Sequence, residues 1–244
     1  MVDRVDQAKD SPGYRRDHIE ADPPYLHPDL KSTRLRAPER PLISLRHTLS
    51  ELSGPVFGHM PLGDFDSDLT RQHQGSPIGQ RIVLSGRVLD GDGRPLRNTL
   101  VELWQANAAG RYIHKWDRYV APIDPNFSGA GRCLTDEEGR YQFITIKPGP
   151  YPFANHRNAW RPAHIHLSVF GESFINRLVT QMYFPGDPLL DQDPVFNSVP
   201  DPQARQRLIC RFDLESTVPD WANTYLFDIV LRGREATPIE RSEK

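Results

Sequence analysis

Apolar and polar positions alternate in short runs over the last two-thirds of the chain, and turn residues separate the runs. Arg81–Leu89 is rich in β-branched side chains and reads as a strand. Asp90-Gly91-Asp92-Gly93-Arg94-Pro95 turns the chain, and Leu100–Gln105 returns it. Residues 131–135 and 141–146 read as the next two strands, with Asp136-Glu137-Glu138-Gly139 between them. Lys147-Pro148-Gly149-Pro150-Tyr151-Pro152 stops the second one. A further strand opens just after Pro162 and carries His164-Ile165-His166-Leu167-Ser168-Val169-Phe170. Residues 176–184, 210–214 and 224–231 complete the strands, with a short helix over 201–208. Residues 113–130 and the stretch from Asp187-Pro188 read as loops. Many short strands between turns predict an all-β sandwich with long loops.

Residues 1–78 show no comparable periodicity. Asp22-Pro23-Pro24, His27-Pro28, Ala37-Pro38 and Arg40-Pro41 interrupt them repeatedly. They read as an extended N-terminal arm with short helical turns, the best of them at Thr48-Leu49-Ser50-Glu51-Leu52. The arm's apolar residues, such as Tyr25, Leu26, Leu30 and Phe57, favour packing on its own domain or on a partner subunit. The expected organisation is therefore an arm, 1–78, and a sandwich domain, 79–244. The 23 prolines forbid long regular helices. A net charge of -2 gives no electrostatic case for nucleic acid or an anionic membrane. No apolar run reaches the length of a membrane span, and the polar start is no signal peptide. Cys133 and Cys210 are too few for a disulfide scaffold, so reduced thiols and a cytoplasmic location are expected.

The candidate chemistry centres on the strand after Pro162. Successive strand side chains face opposite ways, so His164 and His166 share a face, roughly 6.5–7 Å apart. Ile165, Leu167 and Val169 point the other way, into apolar packing. A lone strand histidine is ordinarily a hydrogen-bonded structural residue. Two imidazoles side by side gain little from packing, and the pair suits zinc, copper, iron or nickel. A zinc hydrolase pattern continues with Asp and His, where Leu167, Ser168 and Val169 stand here. A cupin-like site needs a later histidine, and none follows His166. For a two-histidine, one-carboxylate site, Glu172, Asp187 and Asp191 are available but unmarked. No phosphate loop, nucleophile elbow or cysteine-centred site is present. Tyrosine is the remaining donor. A phenolate is a hard anionic ligand suited to ferric iron, provided the metal displaces a proton from a group of pKa about 10. Tyr151 stands one short loop before the histidine strand; spacing does not choose among the other tyrosines. Tyr141 and Tyr225 read as packing residues with wet hydroxyls. Trp104, Trp116 and Trp221 read as packing, Cys133 as an inert buried thiol, and His18, His27, His47, His59 and His73 as structural or exposed.

The segments Gly86-Arg87-Val88 to Ala106-Asn107, Gly110-Arg111-Tyr112, Asp124-Pro125-Asn126-Phe127, Leu134-Thr135-Asp136, Ile146-Lys147-Pro148-Gly149-Pro150-Tyr151 and Trp160-Arg161-Pro162-Ala163-His164-Ile165-His166 closely resemble the intradiol ring-cleaving dioxygenases. The resemblance runs from about residue 77 to 233, and loosely over the arm. It implies a transthyretin-like sandwich core and one non-haem Fe(III) per chain, held by Tyr112, Tyr151, His164 and His166. Tyr151 corresponds to the ligand that leaves the metal when substrate chelates. Arg161 and Gln181 correspond to catalytic pocket residues, and Tyr112, Phe153, Arg161, Gln181 and Val195 to residues around the substrate. The pattern is nearest that of the β-type chains that cleave protocatechuate (3,4-dihydroxybenzoate) with O2, beside a homologous α subunit in a larger oligomer. Two departures stand out. Phe153 occupies a position where well-known β-type chains have Trp, and Leu30 stands approximately where the family arm has a tyrosine near the substrate. The competing expectations are a catechol or hydroxyquinol dioxygenase and a non-catalytic transthyretin-like binding module; the intact set of four ligands argues against the latter.

Overall fold

Eleven strands organise the described part of the chain: β1 (Arg81–Leu89), β2 (Leu100–Gln105), β3 (Ala130–Leu134), β4 (Arg140–Ile146), β5 (Tyr151–Pro152), β6 (Trp160–Arg161), β7 (His164–Phe170), β8 (Arg177–Tyr183), β9 (Arg211–Val218), β10 (Ala222–Leu226) and β11 (Ile229–Val230). The structure is a computed structural model and describes residues 21–41, 61–170 and 177–240. The expected turn at Thr48-Leu49-Ser50-Glu51-Leu52, together with Phe57, Glu172, His18, His47 and His59, lies outside the described residues.

One sheet is built around β1, which pairs antiparallel with β4 on one side and parallel with β10 and then β11 on the other. β9 continues it beyond β10. The second sheet runs β3-β2-β7-β8, antiparallel throughout. β5 and β6 form a ribbon of their own. The sheets share one core. Ile82, Leu84, Phe143 and Tyr225 come from the first, and Val101, Leu103, Ile165, Leu167, Val169 and Met182 from the second. Alternation fills that core from both sides and yields the expected sandwich.

Residues 190–208 differ from the plain loop expected ahead of the helix. A 3-10 turn at Leu190–Gln192 and a helix at Pro194–Asn197 precede the helix at Pro202–Gln206. Asp193 accepts from the backbone N–H of Val195 and Phe196, and Asp201 from that of Gln203. Each aspartate is followed by proline at the first helical position, where no N–H is missed. These turns form a second cluster in which Leu190, Phe196, Val199 and Leu208 pack with Ala21 and Tyr183. Leu30 and Thr33, beside the helical turn Thr33–Arg36, are also buried. Leu69 lies in the main core, and its N–H donates to Ile144 O.

The single strand expected over 224–231 is broken at Phe227-Asp228. The Phe227 carbonyl comes so near Gly86 that a Cβ there would stand 1.9 Å from its oxygen. That oxygen accepts from Tyr141 Oη at 2.6 Å, so the Tyr141 hydroxyl is buried rather than wet. Asp228 turns out to Arg87, accepting from its backbone N–H and its guanidinium, both at 2.8 Å. Two tryptophans also depart from expectation. Trp116 is largely exposed, and Trp221 is half-exposed beneath the Arg81 guanidinium. No helix among the described residues is long and apolar enough to cross a membrane.

Burial pushes both thiols, Cys133 and Cys210, up to about 12. At pH 8 about one part in ten thousand of either is the reactive thiolate. A thiol-reactive chromophore should therefore label neither cysteine in the native protein at pH 8 and both after denaturation. Rapid native labelling would contradict their placement in the core.

Candidate active site

The pleat of β7 sets out the site. With Ile165, Leu167 and Val169 in the core, His164 and His166 face outward on the far side of the sheet, their ring centroids 4.9 Å apart. Register supplies their neighbours on that face. Trp104 stands opposite His166 on β2 and stacks flat on it, 4.9 Å between centroids and 9° between planes. On β8, Gln181 stands opposite His166 and Tyr183 opposite His164.

Each imidazole is held by its Nδ1 atom. Pro162 O lies 2.8 Å from His164 Nδ1, and Glu240 Oε2 lies 2.8 Å from His166 Nδ1. A carbonyl and a carboxylate can only accept, so both Nδ1 atoms carry the proton and Nε2 is the lone-pair nitrogen of each ring. His164 Nε2 faces Tyr151 Oη at 3.3 Å and Arg161 Nη1 at 3.4 Å. Burial, then the charges of Arg161 and His166, hold the His164 pKa well below the usual histidine range. It is a neutral donor at physiological pH.

The tyrosines arrive on loops locked to each other. Asn107 is the clamp. Its side-chain oxygen accepts from the N–H of Ala109 and of Arg111, its carbonyl accepts from Gly110 and Gly149, and its amide donates to Pro122 O. Gly110 has φ +78°, and a Cβ on it would stand 2.1 Å from Pro150 O. Only glycine allows that left-handed turn at that approach. The two loops therefore lie together, and Tyr112 and Tyr151 meet edge to face with centroids 5.4 Å apart. The Tyr112 N–H donates to Asp117 Oδ2, and Tyr151 is fixed by the β5–β6 pairing opposite Arg161. Tyr112 Oη is buried with no hydrogen-bond partner. Burial, then the adjoining Tyr151 hydroxyl, push Tyr112 well above the usual phenol range. Burial also raises Tyr151, against the opposing pull of Arg161.

Arg161 is buried in a polar network. Its guanidinium donates to both Asp193 oxygens, at 3.1 and 2.8 Å, to Gln181 Oε1 at 2.6 Å and to Tyr183 Oη at 2.9 Å. Tyr183 Oη in turn donates to Gln181 Oε1 at 2.7 Å. Burial opposes the charge, but Asp193, with Tyr183 and Tyr151, more than offsets it and keeps Arg161 firmly protonated. Its Nη1 is the nitrogen turned toward His164.

The structure thus brings together Tyr112, Tyr151, His164, His166, Arg161 and Gln181. Phe153 stands beside them, its ring 6.4 Å from that of Tyr151, and shares an open apolar depression with Tyr112, Trp116 and Tyr119. Val195 lies elsewhere, in a cavity behind Gln181 and Tyr183 that Leu30 and Glu240 also line. Sequence reasoning missed Glu240, Asp193, Tyr183, Asn107 and the stacking role of Trp104. Asp193-Pro194 carried a capping signal. Nothing local marks Glu240, which meets His166 from 74 positions away.

A family profile described as "Dioxygenase" matches residues 52–233, and one described as "Protocatechuate 3,4-dioxygenase beta subunit N terminal" matches residues 14–48. The chain belongs to the intradiol dioxygenase family. This dioxygenase is 61% identical over 221 residues to a protocatechuate 3,4-dioxygenase beta chain of Burkholderia cepacia, covering 90% of this chain and 94% of that one. It is 30% identical over 161 residues to a protocatechuate 3,4-dioxygenase alpha chain of Pseudomonas putida, covering 65% and 75% of the two. Among solved structures it resembles 3-chlorocatechol 1,2-dioxygenase of Rhodococcus opacus 1CP, with TM-score 0.52 and 28% identity over 73% of this chain and 70% of the other. The family is generally dependent on non-haem iron. The donors of this dioxygenase suit such a metal. Among the described residues no group of three or more His, Cys, Asp or Glu side chains could hold one, whereas two phenols and two imidazoles lie together here. The buried Tyr112 Oη, without a hydrogen-bond partner beside those donors, fits such a group.

Asp193→Asn keeps the helix cap but leaves the buried Arg161 charge uncompensated. The substitution should cost about 3–5 kcal/mol, read as a lower urea midpoint with unchanged slope. A loss within error of zero would mean that Arg161 has another counter-charge.

Proposed function

We propose that this dioxygenase is the iron-bearing, β-type chain of an enzyme that cleaves protocatechuate between its two hydroxylated carbons with O2, giving 3-carboxy-cis,cis-muconate. The observation that carries this is the convergence of two phenols and two imidazoles on one buried point. The 61% identity to a chain named for that substrate supports it. Catechol and hydroxyquinol are the alternative substrates, separated by the same assay.

In this reading Tyr112, Tyr151, His164 and His166 hold one Fe(III) per chain. Bound there, ferric iron supplies Lewis acidity to a chelated catecholate, activating its ring carbons toward O2. The protein's own groups do the rest. Tyr151 Oη is placed to take one proton from an incoming catechol, and burial, against the pull of Arg161, favours the protonated phenol. Arg161, kept cationic by Asp193, faces the negative charge that develops on the ring. Gln181 Oε1 fixes the guanidinium's direction. Phe153 walls the ring side and holds off water. Val195 supports the face behind Gln181.

An α-type subunit is the expected partner. Ile113, Trp116, Val120 and Ile123 form an exposed apolar strip next to the site. Covering it would both bury that surface and close the depression over Tyr112 and Phe153. The reduced, buried thiols suit a cytoplasmic enzyme.

The protein, co-produced with its α-type partner, should be red-brown from phenolate-to-iron charge transfer, and anaerobic protocatechuate should shift the band. A protein that stays colourless after iron reconstitution would overturn the ligand assignment. His164→Ala should lose bound iron outright. Tyr151→Phe should retain iron but slow substrate docking in stopped flow, because the proton-accepting phenolate is gone.

A further inference from the structure

The stretch Thr237–Glu240 returns to the site from the outer side of the second sheet. Thr237 N–H donates to Val230 O at 2.9 Å, and its hydroxyl accepts from Val230 N–H at 3.0 Å. Pro238 O accepts from the Thr180 hydroxyl at 2.8 Å. Ile239 N–H donates to Asp22 Oδ1 at 3.2 Å, and Glu240 N–H to Val179 O at 2.6 Å. Four successive residues are thus fastened to β11, to β8 and to the arm. β8 is the open edge of its sheet, so its outward backbone groups are free to hold such a strap. The strap delivers the Glu240 carboxylate, 7% exposed, to His166 Nδ1 at 2.8 Å.

We propose that Glu240 is a positioning residue of the metal centre: its carboxylate fixes the tautomer of His166 and strengthens His166 Nε2 as a donor. The proposal rests on the reading of the four side chains as iron ligands. Three observations carry it. First, the carboxylate is delivered to a buried place beside the ring, 7% exposed and 2.8 Å from His166 Nδ1, by a strap bonded at four successive residues. Second, the geometry directs the histidine. A carboxylate on Nδ1 leaves Nε2 deprotonated, and Trp104 stacked on one ring face prevents the imidazole from tilting away. Third, the two histidines are unequal. His164 Nδ1 meets the neutral Pro162 carbonyl, whereas His166 Nδ1 meets an anion. Of the two, only His166 has an anion behind its ring. A carboxylate behind a ligating histidine raises its donor strength in this way, and losing it commonly weakens metal binding 10–100-fold.

The test compares the full wild-type chain, co-produced with its α-type partner, with Glu240→Gln and Glu240→Asp. The glutamine keeps size and a hydrogen-bond acceptor but removes the charge; the aspartate keeps the charge on a shorter arm. Three quantities are read: iron released to excess EDTA over time, the position of the visible charge-transfer band, and the melting temperature of the metal-free protein. E240Q should release iron about 10–100-fold faster than wild type, with a displaced band and a metal-free melting temperature close to wild type. E240D should fall between them. Wild-type release and an unshifted band in E240Q would overturn the proposal while leaving the ligand assignment standing. A wild-type protein without iron or band would instead overturn the ligand assignment itself. Should E240Q not fold, Thr180→Val carries the comparison, since it unhooks the strap at Pro238 and leaves Glu240 in place. Accelerated iron release in T180V supports the role of the strap, and wild-type release overturns it.

Discussion

A strand can present two residues to the same face only if the residue between them faces the other way, and the site depends on that constraint. Ile165, Leu167 and Val169 lock β7 into the core with essentially no exposure. A slip of one residue would put His164 and His166 among Ile82, Leu103 and Phe143, and three large aliphatic groups among Arg161, Gln181 and Tyr183. Such a slip would leave two imidazoles without hydrogen-bond partners in an apolar core and set aliphatic groups against a buried polar network. The register is therefore fixed by packing on one face, and the chemistry on the other face inherits that precision. The same register sets Trp104, Gln181 and Tyr183 beside the histidines.

The outer face carries polar groups that water does not reach, so each must be satisfied from within. Arg161, Asp193, Gln181 and Tyr183 achieve this together, with the guanidinium donating to three side chains. The network is rigid because Asp193 also caps the helix at Pro194–Asn197 and so cannot move without unwinding it. The Tyr112 hydroxyl stays without a partner beside these groups, while Tyr151 Oη and Arg161 Nη1 both lie within hydrogen-bond reach of His164 Nε2.

The phenols reach the site by a different route. Neither sits in the main sheets. Asn107 gathers the loop before Tyr112, and Gly110 and Gly149 let that loop come within contact of the Pro150 backbone. The phenols thus come from connections outside the two sheets and the imidazoles from a strand within one of them.

Much of this was legible in the sequence, for local reasons. Alternation over Arg81–Leu89, Leu100–Gln105 and His164–Phe170 fixed strands and facing, because side-chain direction on a strand is a local property. Family motifs singled out Tyr112, Tyr151, Arg161 and Gln181, which lie together in the fold. Asp193-Pro194 and Asp201-Pro202 also announced helix starts, though only the second was read as one. Other features belong to the tertiary structure alone. The break at Phe227-Asp228 comes from the approach of Gly86 and the buried Tyr141 hydroxyl, which no alternation pattern encodes. Trp104 reads as a packing residue until strand pairing lays it on His166. Glu240 is an ordinary acidic residue until the strap at β8 brings it across 74 positions. Local pattern was enough to tell which face of each strand is apolar and which histidines share a face. Only the fold decided which distant polar groups would be desolvated together, because burial, and with it the protonation and direction of each donor, is a property of the whole packed chain.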